Sequence, residues 1–336
     1  MPAEWERHER CLMGWPSRVA LWGELLDQAR ADYATIASAI AEFEPVTMLA
    51  RPVDVEEARA RCAGAVEVVA LPLDDSWLRD TGPIFVRDAE GHLCGVDFRF
   101  NGWGEKYVPY DDDAALAARV LELLGVPRVA GDCVLEGGAI DVDGQGTLIT
   151  TEQVLLNANR NPGVGREELA ETLRLLLGAE HVIWLGRGLV EDRDTDGHVD
   201  NICHFVAPGR VVAQTVADPA HPDWLICAEN LDLLRRSRDA AGRELEVIEL
   251  GVLPVLAGSD PPVAAPYTNF YLANDAVIVP VTGEDGDADA QALGVLAGAV
   301  PGREVVPVPG ATLARGGGGV HCITQQVPVA AAGGRL

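Results

Sequence analysis

Arg315-Gly316-Gly317-Gly318-Gly319-Val320-His321-Cys322-Ile323-Thr324-Gln325-Gln326 is the stretch on which the reading of this chain turns. Four glycines run directly into a His-Cys pair. Such a loop bares backbone N–H groups and leaves room around a thiol. A thiolate here can act as a nucleophile if a cation lowers its pKa. The plain alternative is a loose C-terminal loop with a buried cysteine, since an unpaired cysteine packs as a small apolar residue. The glycine run makes that alternative less attractive for Cys322 than for the cysteines at 11, 62, 94, 133, 203 and 227.

Working outward, three more polar, glycine-containing segments sit at the ends of predicted strands, where loops present functional groups from a rigid scaffold. Asp74-Asp75-Ser76-Trp77-Leu78-Arg79-Asp80-Thr81-Gly82-Pro83 follows the strand-like VEVVALP. Taken alone it reads better as a solvated turn with an Arg–Asp ion pair. Val134-Leu135-Glu136-Gly137-Gly138-Ala139 sets a carboxylate before two glycines, a weak signal by itself. In Asp192-Arg193-Asp194-Thr195-Asp196-Gly197-His198-Val199-Asp200-Asn201, acids flank His198. That spacing suits an acid–base histidine beside a carboxylate. It also fits an acidic loop with an incidental histidine, or a metal site. No second histidine or cysteine lies at ligand spacing, and His204 falls in an apolar strand, which weighs against metal.

The combination is more specific than its parts. Several carboxylates, one histidine and one glycine-framed cysteine suit a permanently cationic, planar group. A guanidinium keeps its charge up to a pH of about 12, and carboxylates grip its N–H groups in paired hydrogen bonds. The cation itself can stabilise an attacking thiolate.

The bulk properties agree. The chain has 336 residues, 48% of them hydrophobic, enough for a large core. Its formal charge is −26, which opposes binding to nucleic acid or to anionic membranes. The same charge could draw in a cationic substrate, although solubility is the simpler reading. No signal peptide is visible in MPAEWERHER, and no run approaches the roughly 18 apolar residues of a membrane span. The scattered, odd-numbered cysteines indicate neither a disulfide framework nor zinc, so a cytoplasmic protein with free thiols is expected.

Apolar spacing predicts helices at 20–43, 54–62, 113–125, 166–177, 223–241 and 287–299, with Asp111–Asp113 as a cap for the third. Strands are predicted at 45–51, 66–72, 181–185, 245–250 and 304–309, a hairpin at 84–88 and 92–100 around Gly91, and a strand pair within 269–281. No linker stands out, so one domain over 1–336 is expected. The later helices recur at intervals of roughly 55–65 residues, the spacing of repeated supersecondary units, although the units are not visibly similar in sequence. This pattern alone gives an α/β fold and allows a pseudo-repetitive one.

WxRDxGP at 77–83, LEGG at 135–138, GHVDN at 197–201 and GGGxxHCxTQQ at 316–326 occur in an order that resembles the agmatine deiminases of the guanidino-group-modifying, or pentein, superfamily. MPAEWERHERCLMGWP at 1–16, TLITTEQVLLNANRNP at 147–162 and TNFYLAN at 268–274 extend the resemblance over essentially the whole chain. It implies a five-bladed αβ propeller, with pseudo-fivefold repeats around a central active site. It implies hydrolysis of agmatine to N-carbamoylputrescine and ammonia without cofactor or metal, a reaction of polyamine metabolism, by a homodimer or larger homo-oligomer. By motif, Cys322 attacks the guanidinium carbon through a covalent thiouronium intermediate, and Asp80 and Asp200 hold the nitrogens. Glu136 supports the histidine or the substrate, and His198 protonates ammonia and then activates water. Trp77 walls the substrate, Trp103 is a second candidate for that task, and Asp75, beside Asp74, could meet agmatine's ammonium. Gly318 and Gly319 shape the nucleophile loop.

Two departures stand out. Gly319 replaces the usual Asn of GGGN, removing a donor near the nucleophile, and Asp196 replaces the Asn of TNGH, adding a charge near the base. The competing readings are a peptidylarginine deiminase, an amidinotransferase on the same fold, and a non-catalytic guanidine-binding module.

Overall fold

A computed structural model describes residues 1–330 except Ala63 and Asp260. Residues 331–336 of the expected domain lie outside the described residues.

The first strands, β1 (His8–Gly14), β2 (Val46–Ala50) and β3 (Val66–Ala70), pair in parallel. The final strand, Thr324–Pro328, adds antiparallel to β1, with Leu12 opposite Gln325. The two ends of the chain therefore share one sheet. Helices α1 (Leu26–Ala41) and α2 (Val55–Arg61) cross between these strands.

The same unit recurs along the chain. An antiparallel pair leads into a helix, and the helix returns to a strand parallel to the second. In the second sheet β4 (Ile84–Arg87) pairs with β5 (Leu93–Arg99), and α3 (Leu116–Leu124) leads to β6 (Arg128–Val134). The third holds β7 (Ile140–Val142), β8 (Thr147–Thr151), α4 (Arg166–Leu177) and β9 (His181–Leu185). The fourth holds β10 (Cys203–Ala207), β11 (Arg210–Gln214), α5 (Trp224–Arg236) and β12 (Glu246–Leu250). The fifth pairs β13 (Ala276–Val281) with β14 (Glu304–Pro309) across α6 (Gly286–Ala299). The final strand is β15. Parallel neighbours require such a crossover, and the helix supplies it. Five sheets are thus present among the described residues, and the fold is α/β.

Apolar faces of helix and strand decide the packing. In α3, Leu116, Val120 and Leu121 lie on one face and are buried against Leu93 and Phe85. In α4, Leu169, Leu173 and Leu177 do the same against Val142 and Leu148. Both are the i, i+4 stripe expected of a helix laid on a sheet.

Three sequence expectations need correction. The helix expected over 20–43 is broken at Gly23, whose φ of 49° ends a short first turn. Asp113 does not cap the helix expected at 113–125. Its carboxylate accepts the backbone N–H groups of Asp74 and Asp75 at 2.8 and 3.2 Å, and Asp74 in return accepts from Asp112 and Asp113. The first strand of the pair expected within 269–281 is reduced to a single bridge, Tyr271 to Ile278. Asn274 instead turns its amide to the backbone of His8, which takes that segment out of a ladder. No helix among the described residues is long and apolar enough to cross a membrane.

Candidate active site

The four segments marked in the sequence come together. A short helix, Leu78–Thr81, carries Asp80. A 3-10 turn at Gly137–Ala139 follows Glu136, and another at Val199–Asn201 carries Asp200 just after His198. Cys322 sits two residues before the start of β15. Glu136, His198 and Asp200 are fully buried, and Asp80 and Cys322 nearly so.

Gly138 marks where they meet. A Cβ built there would lie 2.6 Å from His198 Nδ1 and 2.9 Å from both Asp200 Oδ2 and Asp80 Oδ1. Gly138→Ala is therefore expected to push a methyl into the cluster. A loss in kcat/KM on the order of 10²-fold is expected from displaced groups, together with a loss of about 1–3 kcal/mol of stability from overpacking, as steady-state kinetics and urea titration would show.

Each carboxylate is held differently. Asp80 accepts the Gly138 N–H at 2.9 Å and the Trp103 indole N–H at 2.8 Å. Burial pushes its pKa up; His198 opposes this, and the charges of Asp200 and Glu136 reinforce it. Asp200 Oδ2 is bound to His321 Nδ1 at 2.9 Å. Burial alone would raise the Asp200 pKa, but that bond and the His321 charge hold it below the ordinary value. Glu136 Oε1 accepts from Arg160 Nε at 2.5 Å. Among the described residues, Glu136 Oε2, Asp200 Oδ1 and both ring nitrogens of His198 are buried without a hydrogen-bond partner. The ion-pair contact of His198 is to Asp80 Oδ2 at 3.8 Å, whereas its sequence neighbour Asp200 is taken by His321.

Arg79 does not pair with Asp80, as the turn reading of that segment expected. It runs the other way and is buried, donating to Glu4 at 2.9 Å, to Gln326 at 2.7 Å and to the His321 carbonyl at 3.2 Å. Glu4 in turn lies 3.1 Å from His321 Nε2. Burial and Arg79 lower the His321 pKa, but Glu4 and Asp200 outweigh them and leave it raised. Charges thus alternate behind the site, from Asp200 through His321 and Glu4 to Arg79. By distance Glu4, His204 and His321 could also offer metal ligands, but the guanidinium of Arg79 already faces Glu4.

The cavity over Cys322 is lined by Asp75, Trp77, Asp80, Trp103, Tyr107 and Asp194, with Gly316 and Gly317 at its edge. Trp77 stacks on Trp22 with ring centroids 5.6 Å apart. The Asp75 carboxylate is turned to Arg18, Trp22 and the Ser76 N–H, and burial raises its pKa to about 6. Asp194 is only half-buried and accepts from the Tyr107 hydroxyl at 2.6 Å. Gly318 faces Trp77 and Cys322, while Gly319 faces Asn269. Asp196, in place of Asn, directs its charge to Lys106 at 2.7 Å and Arg160 at 2.8 Å. It thereby helps to balance Arg160, which is buried against Glu136.

Residues with no role expected from the sequence complete the site. Asp192 anchors the histidine loop by accepting the His198 N–H at 3.0 Å and an Asn201 amide N–H at 3.0 Å. Asn269 touches Cys322, and Glu4 and Asp194 complete the charges. Glu4 lies in the N-terminal segment 1–16 that carries part of the resemblance, but as one of several acids there it has no spacing to distinguish it. Asp194 and Asn269 lay within quoted segments but had no spacing to distinguish them.

Known proteins share this arrangement of chain. The sequence model of the Porphyromonas-type peptidyl-arginine deiminases matches residues 1–328. An agmatine deiminase of Pseudomonas aeruginosa is 44% identical over 352 residues, spanning 98% of this chain and 95% of that protein. One of Medicago truncatula is 40% identical, spanning 98% and 96%. The solved agmatine deiminase of Enterococcus faecalis superposes with a TM-score of 0.93 at 34% identity, over 98% of this chain and 95% of its own. The chain belongs to the Porphyromonas-type peptidyl-arginine deiminase family, together with these agmatine deiminases.

Proposed function

We propose that the protein is an agmatine deiminase, hydrolysing agmatine to N-carbamoylputrescine and ammonia. One observation carries this reading: a buried thiol shares its site with three buried carboxylates, and two of their oxygens lack any donor from the described protein. A ligand that supplies N–H donors and positive charge would satisfy them, and a guanidinium does both. The curated relatives named agmatine deiminase point to the same substrate.

In the proposed reaction Asp80, Asp200 and Glu136 orient the guanidinium with its carbon toward Cys322. The thiolate attacks, forming the S–C bond. His198 gives its proton to one nitrogen, the C–N bond breaks and ammonia departs. The remaining S-alkylthiouronium is attacked by water, whose proton passes to His198. The C–S bond then breaks as the hydroxyl of the intermediate gives up its proton to solvent, where ammonia takes it up as ammonium, releasing the neutral urea product and the thiolate. Dividing the hydrolysis into two steps is the benefit of a covalent nucleophile.

Residues 1–336 form one catalytic domain in this reading. Its five sheets act as the blades of an αβ propeller around the site, supported by the repeated unit and by β15 joining β1. The substrate's far ammonium meets Asp194, which lines the cavity and is only half-buried; Asp75, whose buried Oδ2 has no hydrogen-bond partner among the described residues, is the second candidate for that role. Asp194→Asn is expected to raise KM for agmatine roughly 10- to 100-fold, the worth of about 1.5–3 kcal/mol for a hydrogen bond to a charged group, with kcat little changed. Unchanged KM would remove Asp194 from this role.

The substrate is tested by measuring ammonia and ureido-product release from agmatine, free arginine and a peptide with an internal arginine. Agmatine is expected to be preferred. Preference for the peptide would keep the chemistry and overturn the substrate. Consumption of agmatine with an amine acceptor present, and with release of neither ammonia nor ureido product, would indicate amidino transfer.

A further inference from the structure

Cys322 sits in surroundings that oppose its ionisation. Burial pushes its thiol well above the usual range, and the charges of Asp200 and Asp80 push further. Asp200 Oδ2 is only 3.5 Å from Sγ. The other titratable groups around it are Asp75, Tyr107 and Asp194, which line the cavity over it, Tyr33, which bonds Ser76, then His198 and Glu136 beyond Asp80, and His321 beyond Asp200. A nucleophile in such a place needs a donor that stabilises the anion without adding a competing charge.

Asn269 is placed to be that donor. It is fully buried, and its Nδ2 lies 3.2 Å from Sγ. The direction of its amide is fixed by its other partners. Oδ1 accepts the backbone N–H groups of His321 at 3.0 Å and Cys322 at 3.3 Å. Two N–H donors require an oxygen there, so the NH₂ group must face the sulfur. That NH₂ also donates to Asn201 Oδ1 at 3.0 Å. Asn201 is tied to Asp192, which also holds the His198 N–H. One chain of hydrogen bonds therefore joins nucleophile loop to histidine loop. In the neutral form the thiol can donate to Asn269 Oδ1 at 3.4 Å, so the same amide serves both protonation states.

Gly319 leaves room for this close approach. A Cβ at 319 would lie 2.5 Å from Asn269 Oδ1. The glycine that removes a side-chain donor from the nucleophile loop thus admits the amide of Asn269 beside it.

We infer that Asn269 is a catalytic residue: it donates an N–H to the Cys322 thiolate, stabilising it as nucleophile and leaving group and fixing it relative to His198. The inference rests on the proposed hydrolysis for its catalytic meaning, but its test needs no substrate. The rate of Cys322 alkylation by iodoacetamide is followed against pH by mass spectrometry of the Cys322 peptide. Asn269→Asp keeps the shape and the acceptor for the two backbone N–H groups but replaces the donor with an anion. Its alkylation profile is expected to shift upward by at least about one pH unit, a tenfold slower reaction at fixed pH below the pKa. Its kcat on agmatine is expected to fall on the order of 10²-fold, as when one donor to a developing charge is lost. Asn201→Ala leaves Asn269 in place but loosens its amide, and is expected to shift the profile in the same direction by less.

A folded Asn269→Asp protein with the wild-type alkylation profile would overturn the inference. If that variant does not fold, an unshifted profile in Asn201→Ala would overturn it instead. A wild type inert toward agmatine, with the alkylation shift present, would overturn the substrate and leave the role of Asn269 standing.

Discussion

Cys322→Ala is expected to abolish agmatine hydrolysis, with kcat falling on the order of 10⁶-fold, as when the nucleophile of a covalent enzyme is removed. In the proposed mechanism every step after binding passes through the S–C bond. The remaining carboxylates can hold the guanidinium but present no atom to its carbon, and water attacks a resonance-stabilised cation poorly. Binding should survive, because Asp80, Asp200 and Glu136 take their positions from Gly138, His321 and Arg160 rather than from the sulfur. Calorimetry on the variant should therefore show agmatine binding while ammonia release is absent. Residual turnover within about tenfold of wild type would remove Cys322 from the nucleophile role. The pH dependence has a definite sign. Cys322 and Asp80 are both shifted upward, chiefly by burial, and both must be ionised to act. Rising pH ionises both, so kcat/KM in the wild type should climb with pH on the acid side of its profile. The bound guanidinium favours the thiolate and should bring activity below the pH at which the free enzyme is alkylated. A kcat/KM that falls steadily from acid to neutral pH would contradict this.

Arg79→Ala is expected to cost about 3–5 kcal/mol of stability, the range for removing one partner of a buried ion pair. Arg79 is 3% exposed and Glu4 5%, so neither charge can recover its hydration in place. Without the guanidinium, Glu4 keeps His321 and the Leu272 N–H but loses its permanent cation. Gln326 and the His321 carbonyl lose their donor at the same time. Urea titration should show the loss as a lower midpoint. Adding Glu4→Gln to Arg79→Ala should recover part of it, since an unpaired amide costs less to bury than an unpaired carboxylate. A loss below about 1 kcal/mol would mean that this network is solvated and carries no such load.

The sequence by itself determined the alternation of helices and strands, because apolar stripes with helical spacing must face a sheet, and α3, α4 and α6 fall close to where that spacing set them. It also determined which loops carry chemistry. A glycine run before His-Cys, or a carboxylate before two glycines, departs visibly from the apolar pattern, and all four marked segments converge on one site. Motif resemblance extended this to the family. Only the tertiary structure decided the partners. Sequence adjacency pairs Arg79 with Asp80, yet it bonds Glu4 across 75 positions. Spacing sets Asp200 beside His198, yet it bonds His321 across 121. Position makes Asp113 a helix cap, yet it holds another loop. Asn269 could not be distinguished at all, since its role depends on two backbone N–H groups and a sulfur more than 50 positions away. Spacing along the chain fixes which side chains share a face of a helix or strand, whereas a buried charge pairs with whatever opposite charge packing delivers to it. That delivery depends on how separate units dock, and no local pattern encodes it.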